Sequence, residues 1–337
     1  MAYLKDALRA GVFARLESVA MTDATAVELD AQYRQLREEC GLLDRSKRGK
    51  LMISGSEAAE YLQGQLTNDV EALSPGEGHY AALLDRKGHM QADMRVLRTS
   101  PEEIWIDTEL EALEPARRHL EMYKIGREVA IVDLTAERAL LSLIGPRSVE
   151  IAGTAALPEH VCEAASINRV ECLAVGTANG IDLIAKSADA DILRDTLTGA
   201  GAVEVGPKAA EVLRIETGTP RFGAEMSTET MPAEAGIVEH AVSFTKGCYI
   251  GQEPVARLHY KGRPNRHLRG LELSAPAMAG ASLRLGEKEV GRIGSACISP
   301  ARGPLALAIV RREAEPGAEL VVGEDGVTAR VVDLPFG

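Results

Sequence analysis

Two periodicities divide the chain. Residues 28–40 contain no Gly or Pro and read as helix, as does most of the stretch up to residue 45. Lys50-Leu51-Met52-Ile53 is a strand signal. Ser54-Gly55-Ser56-Glu57 reads as a helix start, either a capping box from Ser54 to Glu57 or a simple N-cap at Ser56. Ala58, Leu62 and Leu66 then recur on one helical face.

The pattern next switches to period two. His79 to Leu84 and His89 to Leu97 are extended, and Asp85-Arg86-Lys87-Gly88 between them has turn chemistry. Taking those four residues as the loop puts Ala81, Leu83, Met90, Ala92 and Met94 on one apolar face, as a correct register should. The other face carries Tyr80 directly opposite Asp93, with Cβ atoms about 5 Å apart. A phenol beside a carboxylate is either surface decoration or one wall of a site.

Ile104 to Ile106 is a third strand. A helix is expected from about Pro115 to Tyr123, and a strand from Arg127 to Asp133. From Leu140 to Val205 the order is strand, helix, strand, strand, helix, strand, which is the ferredoxin-like unit. Pro207 to Thr217 is a further helix, stopped by Gly218 and Pro220. Residues 220–265 look irregular, either a linker or a functional surface. After Leu268 short strands punctuated by Gly and Pro predict a small antiparallel barrel or sandwich.

Composition narrows the function classes. Lys and Arg total 38 against 50 Asp and Glu, a formal charge of −12, and aromatics are 4%. Such a chain is a poor coat for bulk nucleic acid, which wants a basic groove and stacking rings. No apolar run approaches a membrane span, and Lys5, Asp6 and Arg9 interrupt any signal-peptide core, so we expect a cytoplasmic protein. Five scattered cysteines without a C-x-x-C pair read as reduced thiols. The sequence has no P-loop, no G-x-G-x-x-G after a strand, no G-x-S-x-G and no H-E-x-x-H.

Three features carry candidate chemistry. Glu216 sits near the C-terminal end of its helix, where the dipole disfavours an anion; it is either a solvated partner of Arg214 or Lys208, or a binding group. Lys246-Gly247-Cys248-Tyr249-Ile250-Gly251-Gln252-Glu253 presents a Cys and a Tyr between two glycines. Lys246 beside Cys248 would favour the thiolate, although a buried Cys in a turn has the same pattern. One Cys alone holds no metal or cluster. Residues 254–271 contain no acid but include Arg257, Lys261, Arg263, Arg266 and Arg269, which read either as a solvated linker or as an anion site.

At these residues the chain resembles the folate-binding YgfZ family, relatives of the T-protein (aminomethyltransferase) of the glycine cleavage system. The octapeptide with Pro254-Val255-Ala256-Arg257 is similar to the YgfZ signature. Cys40 to Ser46, Gly49-Lys50, Leu66 to Val70, the Tyr80 to Asp93 hairpin and Arg214 to Gly218 resemble T-protein blocks. The resemblance implies an α+β fold: a three-domain T-protein-like cloverleaf with ferredoxin-like α/β domains and a C-terminal small antiparallel β-barrel. With the element order it suggests domains of 1–50 plus 138–265, 51–137 and 266–337.

The resemblance also implies tetrahydrofolate, or a folate derivative, in a central channel. Asp93 would face the reactive nitrogens, with Tyr80 beside it and Glu216 on the pteridine. Lys246, Tyr249 and Arg257 join the implied cofactor contacts, and the basic 257–269 stretch suits the anionic folate tail. Cys248 is the residue that defines YgfZ-type proteins, which are associated with iron–sulfur cluster assembly or repair and iron–sulfur-dependent tRNA modification. Iron–sulfur proteins are the implied clients. The alternative function is a tetrahydrofolate-dependent aminomethyltransferase or demethylase. The chain departs from T-proteins at Ala92-Asp93, where they carry Asp-Asp, and in its Cys-containing octapeptide.

Overall fold

A computed structural model of the chain describes residues 23–336. Helices expected before residue 23 lie outside the described residues. Three sheets, each with its own apolar core, organise the rest.

The first sheet has six strands: β1 (Gly41–Asp44), β7 (Arg138–Ile144), β8 (Cys162–Ile167), β9 (Val170–Thr177), β10 (Gly180–Lys186) and β11 (Val203–Glu204). Their spatial order is β11-β1-β7-β10-β9-β8. The expected ferredoxin-like run is there, with helices α4 (Ser148–Ala152) and α5 (Ala190–Gly199). Two features were not foreseen. Strand β1, from far upstream, inserts between β7 and β11 and runs parallel to β11. Strand β8 adds an edge beside β9; its sequence, Cys-Glu-Ala-Ala-Ser-Ile, is small and weakly alternating, so pattern alone does not call it.

The second sheet comprises β2 (Gly49–Ser54), β3 (Gly78–Leu84), β4 (Met90–Ser100), β5 (Glu103–Thr108) and β6 (Ala130–Asp133), in the order β3-β4-β5-β2-β6. Helices α2 (Ala58–Gln63) and α3 (Leu110–Tyr123) bury Ala58, Leu62, Ala112, Ala116 and Leu120 against it. The expected capping box is not formed. Glu57 is the N-cap of α2 without a side-chain cap bond, and Ser56 donates instead to Glu128. Helix α3 begins five residues before Pro115, after extended Glu109. Pro115 lies in its second turn, where its missing N–H leaves only the carbonyl of exposed Glu111 without a helical partner.

Between the first sheet's last strand and the barrel lie α6 (Pro207–Glu216), α7 (Val238–Ala241) and α8 (Gln252–Lys261). Residues 220–265 are thus less irregular than expected. Pro254 occupies the first turn of α8, where no N–H is needed. Phe222, Met226, Ala235, Ile237, Ala241, Val242, Tyr249 and Val255 from this segment pack into the core of the second sheet rather than the first. The six strands of residues 266–332 (β12–β17) close into an antiparallel barrel. Helix α1 (Asp23–Glu38) packs on α6 through Leu29, Tyr33, Leu36, Ala209, Val212 and Leu213. No helix among the described residues is long and apolar enough to cross a membrane.

Candidate functional site

The β3–β4 hairpin puts Tyr80 opposite Arg95 and Ala82 opposite Asp93, two residues away from the expected register. Two local events cause the shift. Asp85 N–H donates to the His89 carbonyl (2.8 Å), and Asp85 Oδ1 accepts from the N–H of Lys87 and of His89, which tightens the loop by a residue. A bulge then leaves Gln91 unpaired and adds the second. Near the tip the shift is one, which sets Met90 opposite Leu84; beyond the bulge it is two, which keeps those side chains on their expected faces. Tyr80 and Asp93 are therefore diagonal neighbours on one face, and the phenol donates to Asp93 Oδ2 at 2.7 Å.

Asp93 Oδ1 is buried and has no hydrogen-bond partner among the described residues. The Asp93 backbone carbonyl accepts from Thr108 Oγ1 at 2.6 Å, which fixes the strand there. Burial raises the Asp93 pKa, opposed by the Tyr80 hydrogen bond and by nearby Arg48. Burial, then the charge of Asp93, pushes Tyr80 well above its ordinary value, so the phenol stays protonated and is the donor. Ala92 is fully buried in the core on the opposite face, leaving Asp93 as the one carboxylate of β4.

From Tyr80 a row of charged residues that the sequence pattern does not single out continues in register: Arg95, Asp107 and Lys50, across β4, β5 and β2. Arg95 Nε donates to Asp107 (2.6 Å), and its Nη1 pairs with Asp182 of β10 (2.8 Å), which also accepts from Ser142 of β7 (2.6 Å). Arg48 Nε donates to Asp107 at 2.8 Å and its Nη1 binds Glu109. Burial opposes ionisation of Asp107, but Arg95 and Arg48 outweigh it and hold its carboxyl below the ordinary carboxylate range. Lys50 donates to the carbonyls of Ser46 and Arg48, both at 2.8 Å, and burial lowers its pKa to about 8. A sequence signal existed: Arg95 lies between Met94 and Val96, Asp182 between Ile181 and Leu183, and Asp107 follows Ile104-Trp105-Ile106, so each is a charge set among apolar strand residues.

The octapeptide loop lies against the same hairpin. Gly251 has φ +84°, and a Cβ there would lie 2.4 Å from the Asp85 carbonyl oxygen, so only glycine fits. Lys246 Nζ donates to the carbonyls of Gln63 (2.6 Å), Leu66 (2.7 Å) and Asn68 (3.0 Å). Burial lowers its pKa to about 8. All three of its protons hold the end of α2 and the segment that follows it; the ammonium points inward rather than to the thiol or toward an anionic ligand. Asn68 in turn donates from its side chain to the Tyr80 carbonyl at 2.9 Å. Cys248 is exposed. Tyr249 is buried with its hydroxyl unpartnered among the described residues, its ring under Lys246 Nζ at 5.1 Å, and burial pushes its phenol up to about 12. Arg257 is exposed on α8.

Glu216 is not brought into this network. Its carboxylate accepts from Tyr33 Oη (3.1 Å to each oxygen) and from Ser299 Oγ (2.5 Å), joining α1, α6 and the barrel. Arg214, its expected partner, binds Glu211, Glu225 and Ser295 instead. Two residues of the basic stretch are also neutralised, Arg266 by Glu234 and Arg269 by Asp333.

Comparison with known proteins agrees with this architecture. The sequence matches the GCVT N-terminal domain over residues 9–246 and the glycine cleavage T-protein C-terminal barrel domain over residues 266–336. An aminomethyltransferase of Rubrobacter xylanophilus is 30% identical over 321 residues, covering 91% of this chain and 86% of the relative. That of Exiguobacterium sibiricum is 28% identical, covering 90% and 88%. The crystal structure of glycine cleavage system aminomethyltransferase T from Bartonella henselae superposes with a TM-score of 0.83 at 23% identity, over 92% of this chain and 89% of that one. The mixed α/β fold with its closed six-stranded barrel is theirs, and this chain belongs to the glycine cleavage T-protein family.

Proposed function

We propose that this chain binds tetrahydrofolate at the Tyr80–Asp93 pair and transfers a one-carbon unit from an amine, the activity named for its aminomethyltransferase relatives. The observation behind this reading is the buried, unpartnered Asp93 Oδ1. An acceptor with no donor costs about 1–3 kcal/mol when buried, and a ligand N–H removes that cost. Reduced folate, when bound, would supply the nitrogens that accept the carbon. Tyr80 holds Oδ2 by its single O–H, so Oδ1 is the oxygen directed at a ligand amine. A carboxylate whose basicity is raised by burial suits it to take a proton there, or to stabilise positive charge as it develops.

The test is incubation with tetrahydrofolate and lipoyl-bound or free aminomethyl donors. Methylenetetrahydrofolate is expected from the wild type, with a loss of about 10²-fold or more in Asp93→Asn. No product across those donors counts against transfer, and undiminished product in the variant counts against the role of Asp93.

A second reading is an accessory role in iron–sulfur cluster assembly or repair, favoured by the exposed Cys248 thiol on a loop seated against the hairpin. A strain lacking its own homologue, rescued with Cys248→Ala, tests it. Full recovery of iron–sulfur enzyme activity and thiolated tRNA would sink that role for the thiol.

A further inference from the structure

The seam between the first two sheets opens at one end into a cleft of about 340 Å³. Its floor continues the apolar packing of the seam: Leu173 of β9 and Ile184 of β10 lie there, against buried Leu97 and Leu140. Trp105 of β5 forms a wall. Its indole N–H donates to Glu103 at 2.9 Å, and Glu103 also accepts from Thr99 Oγ1 at 2.8 Å, so the ring is held in place. Gly76 stitches the two sheets beside it: its N–H donates to the Arg98 carbonyl and its carbonyl accepts from the Cys162 N–H, both at 2.7 Å. Thr99 follows Asp93 on β4, about 20 Å further along by strand rise, and the Arg95–Asp182 pair stands between them. The cleft is therefore separate from the Tyr80–Asp93 pair.

Strand alternation decides which charges face it. Glu171 shares a face with Leu173, and Arg138 shares one with Leu140 and Ile184, while Glu163 and Cys172 turn to the opposite face. The Arg138 guanidinium lies over the Trp105 ring, 5.2 Å from its centroid. Lys186 is opposite Arg138 in register and is exposed. Glu171 is exposed and Glu103 half-buried. Among the described residues none of these four charges makes an ion pair. Two cations and two carboxylates held apart over an apolar floor complement a ligand that carries both signs of charge. A simple anion or cation would meet repulsion from one of the two pairs. The volume lies at the lower end of the range of about 300–1,000 Å³ for small-molecule sites. We infer that this cleft binds a zwitterionic α-amino acid with an apolar side chain. The carboxylate sits on Arg138 and Lys186, the ammonium on Glu171 and Glu103, and the side chain covers Leu173, Ile184 and Trp105.

Trp105 is the chain's one tryptophan, so its emission reports on the cleft alone. Titration with L-leucine, followed by tryptophan fluorescence and by calorimetry, is expected to saturate. Leucine methyl ester, which lacks the carboxylate, and 4-methylpentanoate, which lacks the ammonium, are each expected to bind about tenfold more weakly or worse, as is glycine, which leaves the floor uncovered. Arg138→Met and Glu171→Gln are each expected to weaken leucine by about tenfold, and Arg138→Met to leave the ester unaffected. No saturable signal with leucine by either method would overturn the proposal. So would equal affinity for leucine, its ester and 4-methylpentanoate, or leucine affinity unchanged in both variants.

Discussion

The Tyr80 phenol donates to a carboxylate that burial already disfavours as an anion. Removing that O–H in Tyr80→Phe takes away a contact that lowers the Asp93 pKa. Without that hydrogen bond the Asp93 pKa rises further above the ordinary carboxylate value. Catalysis that needs ionised Asp93 loses its acid limb at correspondingly higher pH. A pH–rate profile with an unshifted acid limb would show that Asp93 does not govern it. At this scale the sequence was informative: the two faces of the hairpin, and so the meeting of Tyr80 with Asp93, follow from alternation. The register itself was not legible, because the tight Asp85 turn and the Gln91 bulge each add one residue of shift and cancel in their effect on the faces. For Asp107 and Asp182 the apolar neighbours are legible, but not the partner: the pairing of Arg95 with Asp182 joins strands far apart in sequence and leaves no local pattern.

The octapeptide acts as an element rather than as separate residues. Lys246 ties it to the end of α2 and the segment that follows, and Gly251 lies flat on the hairpin turn. Its glycines were read as a device for presenting Cys248; one of them is equally a packing requirement. Gly251→Ala forces a non-glycine residue to φ +84° and drives its Cβ into the Asp85 carbonyl. Destabilisation of about 2 kcal/mol or more is expected in denaturant unfolding, with faster hydrogen exchange in residues 85–91. Wild-type stability with unchanged exchange would mean that the loop does not rest on the turn. Lys246 had been expected at the ligand; its chemistry was legible, its direction was not, because the carbonyls it holds belong to a distant helix end and the segment that follows it.

Across the whole molecule, the seam between the first two sheets is part ionic and part apolar. Arg95 spans it to Asp182, while Leu97, Leu140, Cys162, Val175 and Ile184 pack beside it with Trp105. Arg95 is also held by Asp107 of β5, and removing one partner of such a buried pair costs about 3–5 kcal/mol, so Asp107→Asn unfolds at markedly lower denaturant at neutral pH. The folded-state pKa of Asp107 is depressed, so its stabilisation is complete above the unfolded carboxylate value of about 4 and is lost as pH falls below that. The wild type should therefore lose stability on acidification through that window more steeply than the variant. Equal slopes would place the stabilising charge elsewhere. Barrel, ferredoxin-like run and hairpin were all readable from period and punctuation. The insertion of β1, the edge strand β8 and the packing of residues 222–255 on the second sheet were not, since each is decided by tertiary contacts.

The central claim is that Asp93 anchors a reduced folate. Calorimetric titration of the wild type and of Asp93→Asn with tetrahydrofolate addresses it most directly. Saturable binding is predicted for the wild type, weakened about tenfold or more in the variant, with both proteins unfolding as cooperative units. No binding to the wild type, or equal affinity in the two, would contradict the account.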